Sequence, residues 1–166
     1  MGIFSTKNKN NERNVNFAAG NEFGAITQNT AINATLKDDC IFIVSRMNKK
    51  MSVSLKYEKI TNCEYVTEKD IQEKSKSVLG RAAIGNLLLG PVGAVVGGMS
   101  GLNGTKKKTK IRNFIIINYT SNNDEGVIYL EIVPATLNWK TFLSELKAKA
   151  NIQEKEVEKA ELSVEL

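Results

Sequence analysis

Few side chains in this chain could carry out chemistry, because its 166 residues include no histidine. That absence excludes histidine-dependent triads, histidine general bases and metal sites built on imidazole. Ser144 and Lys147 have the Ser-x-x-Lys spacing of some acylating enzymes, but both are predicted to face solvent on a helix. The acidic pairs at 38–39 and 124–125 lie at predicted turns, where backbone requirements explain acidic residues. We therefore expect a non-enzymatic protein without catalytic residues, cofactor or metal.

The two cysteines, Cys40 and Cys63, lie in apolar, strand-like runs and lack the spacing of metal or redox motifs. They are predicted to be buried and unpaired. The first residues lack the long apolar stretch of a secretory signal, and unpaired thiols fit a reducing compartment. We therefore expect a cytoplasmic protein. The basic and glycine-rich segment described below is also compatible with a peripheral location at the inner face of the membrane.

Positive charge is concentrated in one segment of the chain. The formal net charge is +5, yet residues 77–112 carry basic side chains and no acidic one. The basic residues are Arg81, Lys106, Lys107, Lys108, Lys110 and Arg112. Such a patch suits phosphate groups of an anionic lipid or a phosphorylated small molecule, and it equally suits a solvated loop that keeps an apolar neighbour soluble. We do not expect a nucleic-acid partner, because no aromatic side chain is interleaved among residues 106–112.

The same segment is rich in glycine. Eight of the 12 glycines fall between residues 78 and 104, among alanine and aliphatic residues. Gly90 suits the end of one helix and Pro91 the start of the next, which predicts a helical hairpin with arms over 78–89 and 92–102. Each arm would be roughly 17 Å long at about 1.5 Å per residue, too short for a hydrocarbon core of roughly 30 Å. The spacing of a P-loop is absent.

The glycine spacing predicts close contact between helices. Gly93, Gly97 and Gly101 recur every four residues, which leaves a groove without side chains for another helix. Each interior glycine costs about 1 kcal/mol of helix stability relative to alanine, so an isolated hairpin should barely form in water. Other copies of the chain, a membrane interface or the strand-rich part of the chain could stabilise it. We expect self-association first, through Gly85, Gly93, Gly97 and Gly101.

The rest of the chain reads as short antiparallel strands flanked by tails. Residues 1–20 are predicted to be a flexible tail, because residues 5–16 offer almost nothing to bury. Runs of β-branched and aromatic residues are separated by polar clusters, and residues 121–126 are predicted to form a hairpin turn. The predicted strands are Ala31–Leu36, Cys40–Arg46, Met51–Tyr57, Ile60–Thr67, Asn113–Thr120 and Gly126–Val133.

An amphipathic helix is predicted after the strands, with Asn138 as its N-cap. One face of this helix carries apolar residues at helical spacing, namely Trp139, Phe142, Leu143, Leu146 and Ala150. That stripe must pack against the sheet. Residues 151–166 are rich in glutamate and lysine, which predicts a helical or disordered tail.

Three parts of the sequence carry a family resemblance: the runs at 36–44 and 53–66, and the helix that begins at Trp139. Together they resemble the bacterial pleckstrin-homology (PH) and GRAM-like superfamily. The segment at 76–82 is also similar to small uncharacterised proteins of Gram-positive bacteria and their phages. The resemblance implies an α+β, mainly β fold in which antiparallel strands are closed by a C-terminal helix. The domain would span 21–150, interrupted at 77–112 by the glycine-rich hairpin and basic loop.

These features predict a binding and oligomerisation module that self-associates through the glycine-rich hairpin, with an anionic membrane surface as a possible place of assembly. Its partners would be other copies of itself and an anionic lipid or phosphorylated small molecule. The alternative is a soluble protein that sequesters a phosphorylated or nucleotide signal, as a phage counter-defence protein would.

Overall fold

The computed structural model describes residues 10–70 and 111–152. Within these two ranges the chain forms seven strands and a C-terminal helix. The strands are β1 (Arg13–Ala19), β2 (Ala31–Leu36), β3 (Cys40–Ser45), β4 (Ser52–Lys56), β5 (Ile60–Thr67), β6 (Asn113–Ser121) and β7 (Asp124–Ile132), and the helix α1 spans Trp139–Lys149. A 3-10 turn, Tyr57–Lys59, connects β4 to β5. The predicted mainly β architecture with a C-terminal helix is confirmed, and the predicted hairpin lies outside the described residues.

All seven strands pair antiparallel in one sheet with the order β4-β3-β2-β1-β7-β6-β5. The first four strands form one meander and the last three form another. Among the described strands, the two meanders pair with each other only between β1 and β7, where Ala18 lies opposite Glu131 and Ala19 opposite Leu130. We call this junction the β1–β7 seam.

A buried asparagine lengthens the seam beyond β1. The Gly20 N–H donates to the Tyr129 carbonyl at 2.8 Å, which continues the strand pairing by one residue. The Asn21 side chain then donates to the Val127 carbonyl at 2.9 Å and accepts from the Tyr129 N–H at 2.8 Å. A side-chain amide therefore takes the place of a peptide group along β7, whose polar atoms would otherwise be left without these partners.

Strand β1 corrects the expected N-terminal tail, which is wrong for residues 13–19. Its inward residues Val15, Phe17 and Ala19 are buried and belong to the hydrophobic core. Asn14 and Asn16, two of the polar residues that suggested a tail, face away from the core and are hydrogen-bonded there. The Asn33 side chain of β2 donates to the side-chain oxygens of Asn14 and Asn16, the latter at 2.9 Å. Hydrogen bonds between asparagines thus make a polar sequence compatible with a central strand.

The six strands predicted from the sequence are all present. Their observed ends lie within two residues of the predicted ones. The turn between β6 and β7 is tighter than predicted and consists of Asn122 and Asn123, with φ angles of 52° and 69°. Asparagine tolerates this left-handed conformation, so the pairing of β6 with β7 continues through the residues expected to form a longer turn.

Residues 114–118 of β6 are all buried, which shows that both faces of this strand are covered.

Helix α1 packs on the sheet through the predicted apolar stripe. Phe142, Leu143 and Leu146 are buried. The ring of Phe142 meets that of Phe17 edge-on at a centroid distance of 5.2 Å. Trp139 is only partly buried and stacks on Tyr65 of β5 at 4.8 Å. These contacts bring β1 and β5, one strand from each meander, onto the same helix.

Asn138 occupies the predicted N-cap position of α1, but its side chain does not cap the helix. Asn138 adopts a left-handed conformation with φ of 58° and makes no side-chain capping hydrogen bond. An N-cap residue normally adopts an extended conformation that aims its side chain at the first turn. Asn138 instead supplies a sharp change of direction into the helix.

Both cysteines are buried and unpaired, as predicted. Burial raises the pKa of the Cys63 thiol to about 12, which keeps it protonated and unreactive at neutral pH. Tyr57 is buried at the end of β4 and its hydroxyl donates to the Lys37 carbonyl at 2.7 Å. Burial raises the pKa of Tyr57 as well. The buried Tyr57 hydroxyl is therefore neutral and hydrogen-bonded.

Replacing Phe142 with alanine is expected to lower the free energy of unfolding by about 3–5 kcal/mol, since it removes a fully buried ring that joins α1 to β1. Ser144→Ala, on the exposed face of the same helix, should change stability by less than about 0.5 kcal/mol. Urea denaturation of both variants measures the difference. Equal stability of Phe142→Ala and wild type would show that α1 is not docked in solution.

Candidate functional site

The chain leaves the sheet for the glycine-rich segment at the end of β5 and returns at the start of β6. These strands pair to their last residues, with Thr67 opposite Asn113. The Glu68 N–H then donates to the Arg112 carbonyl at 2.8 Å. The two ends of the segment are therefore held side by side at one end of the sheet. We call the residues that hold them, Thr67–Asp70 together with Arg112 and Glu131, the insertion base.

The exit from β5 is shaped by a reciprocal pair of hydrogen bonds. The Asp70 N–H donates to the Thr67 hydroxyl at 3.1 Å, and the Thr67 N–H donates to the Asp70 carboxylate at 3.1 Å. This is a capping box, which satisfies backbone donors at the start of a helix. Residues 68–70 are accordingly helical. Strand β5 therefore ends at Thr67 because a local helix signal begins there.

The return into β6 is fixed by Arg112. Its guanidinium donates two hydrogen bonds to the Glu131 carboxylate, both at 2.8 Å, and lies 5.1 Å from the centre of the Phe114 ring. Both side chains are largely buried, with 18% and 16% of their surface exposed. The hydrogen bonds that the guanidinium donates to Glu131 raise the pKa of Arg112, so the guanidinium stays charged. A bidentate pair of this kind fixes orientation as well as distance.

The predicted anion-binding residues are divided by the structure. Arg112 lies in the insertion base, and its pairing with Glu131 gives it a structural role that the sequence analysis did not anticipate. The remaining predicted site residues lie outside the described residues: Arg81, Lys106, Lys107, Lys108 and Lys110 of the basic patch, and Gly85, Gly93, Gly97 and Gly101 of the predicted groove.

Sequence reasoning missed Glu131, because its partner is 19 residues away and nothing local marks the pair. It also missed the apolar surface near the insertion base. Ile111 is 61% exposed and Tyr65 40% exposed, although both are large and apolar. The Tyr65 hydroxyl reaches the Asn113 side chain at 3.3 Å, which places this ring next to the start of β6.

Residues 10–70 and 111–152 contain no group of three or more cysteines and carboxylates placed to hold a metal ion. Within the same ranges, no helix is long and apolar enough to cross a bilayer.

Two antiparallel meanders joined into one sheet, a C-terminal helix and a long insertion between β5 and β6 define a PH-like binding domain. The family model for the glycine zipper containing PH domain matches residues 21–133, and the chain belongs to this family. The matched range begins just after β1, ends just after β7 and includes the insertion. The PH resemblance seen in the sequence is thus confirmed, and the family's description includes a glycine zipper. No curated protein matches the chain.

Truncating either member of the ion pair is expected to destabilise the domain. Arg112→Ala and Glu131→Ala should each cost about 1.5–3 kcal/mol, because each leaves a largely buried charge without its partner. The double variant should cost at least about 1 kcal/mol less than the sum of the two. Glu125→Ala, at an exposed position of β7, serves as control and should change stability by less than about 0.5 kcal/mol. Strictly additive losses in denaturant titrations would show that the pair does not stabilise the fold.

Proposed function

We propose that this protein is a non-enzymatic binding module that self-associates through its glycine-rich segment and assembles at an anionic membrane surface. The observation that supports this proposal most directly is the geometry of the insertion base. Because the Glu68 N–H bonds to the Arg112 carbonyl, both ends of the segment 71–110 are attached at one point of a rigid sheet. Self-association through this segment would therefore bring several domains together without distorting their sheets.

The glycine spacing supports self-association. Gly93, Gly97 and Gly101 recur every fourth residue, the spacing at which small residues let two helix backbones approach closely. Membership in a family defined by a glycine zipper is consistent with this use. The residues responsible would be Gly85, Gly93, Gly97 and Gly101.

The basic residues support assembly on an anionic surface. Lys106, Lys107, Lys108 and Lys110 immediately precede Ile111, which is exposed at the insertion base. Each lysine near an anionic membrane contributes about 1 kcal/mol, so four of them would give reversible binding that weakens with salt. The exposed apolar side chain of Ile111 would add to this attraction at the interface.

Gly97→Leu is expected to shift the protein from oligomer toward monomer, because leucine fills the groove that close helix approach requires. Ala94→Leu adds the same side chain at a position outside the glycine repeat and should leave the mass unchanged. Light scattering coupled to size-exclusion chromatography measures both. A wild-type protein that is already monomeric at tens of micromolar would contradict self-association.

The same variants distinguish self-association from packing within one chain. Both faces of β6 are covered. If the glycine groove packed against the domain of its own chain, that packing would contribute to the stability of the domain. Gly97→Leu should therefore keep the wild-type midpoint of denaturation at concentrations where both proteins are monomeric. A lower midpoint under these conditions would place the groove in intramolecular packing instead.

Vesicle flotation should show recovery with anionic phosphatidylglycerol vesicles at low ionic strength, less recovery at high salt, and none with neutral phosphatidylcholine vesicles. The variant Lys106→Gln/Lys107→Gln should bind on the order of 30-fold more weakly, since two lysines contribute about 2 kcal/mol. Lys49→Gln/Lys50→Gln removes the same charge from the exposed β3–β4 connection and should bind like wild type. Equal recovery with both vesicle types would remove the electrostatic part of the proposal.

A further inference from the structure

A cleft of about 360 Å³ lies between β4 and the ends of β6 and β7. Its volume falls within the range of small-molecule sites. Val53, Leu55 and Ile128 give it apolar walls, Tyr119 adds an aromatic ring, and Lys56 and Lys59 also line it. None of these residues belongs to the insertion base, so the cleft is a separate feature of the domain.

The cleft exists because the sheet does not close on itself. Strands β4 and β5 lie at opposite ends of the strand order, although only the short turn Tyr57–Lys59 separates them in sequence. No described strand pairs with the outer edge of β4. The space beside that edge is bordered instead by side chains from β6 and β7.

Two glycines shape the walls of the cleft. Gly24 has φ of 55°, and a Cβ there would lie 2.6 Å from a methyl group of Val53, so only glycine lets this loop approach β4. Gly126 lies opposite Tyr119 in the β6–β7 pairing, and a Cβ there would lie 2.3 Å from the tyrosine ring. The ring therefore rests across Gly126, which holds Tyr119 in place as a wall of the cleft.

The charged residues that line the cleft are both basic. Lys56 is the last residue of β4, and Lys59 is the last residue of the 3-10 turn that follows it. Glu58 lies between them in sequence but does not line the cleft, and no carboxylate does. Neither lysine forms an ion pair with a described residue. Asp124 and Glu125 are exposed beyond the end of β6, which disfavours an extended polyanion but leaves room for one compact anionic group.

The cleft and the insertion base lie at opposite ends of β6. Tyr119 is six residues from Asn113, a distance of roughly 20 Å along a strand. A domain held to a membrane through the insertion base would therefore keep the cleft away from that surface. The ligand of the cleft should be soluble rather than a lipid headgroup.

We infer that this cleft binds a small soluble molecule that carries one anionic group, a phosphate or a carboxylate, on an apolar body. Lys56 and Lys59 donate charge-assisted hydrogen bonds to the anionic group. Val53, Leu55 and Ile128 contact the apolar part, and the ring of Tyr119 limits its orientation. That the ligand is soluble rests on the proposed attachment to a membrane through the insertion, whereas the cleft shares no residue with the glycine repeat or the basic patch.

Nuclear magnetic resonance titration of the full, 15N-labelled chain tests the site, with phenyl phosphate, benzoate, inorganic phosphate and phenol as probes. Phenyl phosphate or benzoate should cause saturable shifts in the amide signals of Val53, Leu55 and Ile128. Inorganic phosphate and phenol each lack half of the required chemistry and should bind at least tenfold more weakly. Whichever of the two anionic probes binds more tightly identifies the anionic group.

Charge variants complete the test. Lys56→Gln/Lys59→Gln should weaken binding of the better probe at least tenfold, and Lys49→Gln/Lys50→Gln should leave it unchanged. Unchanged amide signals elsewhere would confirm that the first variant is folded. The inference is overturned if no probe causes saturable shifts at millimolar concentration, or if both double variants bind equally well. It is also overturned if Lys56→Gln/Lys59→Gln abolishes flotation with anionic vesicles, since the cleft would then be a lipid site.

Discussion

The β1–β7 seam is the contact on which the rest of the structure depends. Each meander is built from neighbouring strands, but only the seam makes them one sheet. The strand pairing there is short, and it is extended by the Gly20 N–H and by the Asn21 side chain along β7. A buried amide with both its donor and its acceptor engaged adds stability, whereas an unpaired one would cost about 1–3 kcal/mol. The seam therefore tolerates little change at Asn21.

The seam also connects the functional parts of the molecule. Glu131 lies opposite Ala18 of β1 on one side and Phe114 of β6 on the other, and its carboxylate holds Arg112. The anchor of the insertion base is thus part of the contact that unites the two meanders. Helix α1 also links the two meanders from the core side of the sheet. Its Phe142 contacts β1, and its Trp139 contacts β5.

The strands and the helix were predictable because their apolar residues recur with the period of each element. Strand β1 was missed although Val15, Phe17 and Ala19 alternate, since the intervening asparagines resemble a solvated tail until their partner on β2 is known. The tight turn at Asn122 and the left-handed Asn138 depend on backbone angles that a preference for turn residues does not specify. The Arg112–Glu131 pair and the lysine cleft arise from strand order, which brings distant residues together and leaves no local signal.

The hydrogen bond between Glu68 and Arg112 affects the order in which the strands fold and couples the stability of the domain to binding by the inserted segment. It joins residues 44 positions apart, so pairing β5 with β6 closes a long loop. Compared with a four-residue turn, this closure costs about 2 kcal/mol of chain entropy. Strand β5 should therefore join the sheet late in folding, after the locally connected strands. Any contact that draws the two ends of the segment together lowers this cost, so whatever the segment binds also stabilises the domain that carries it.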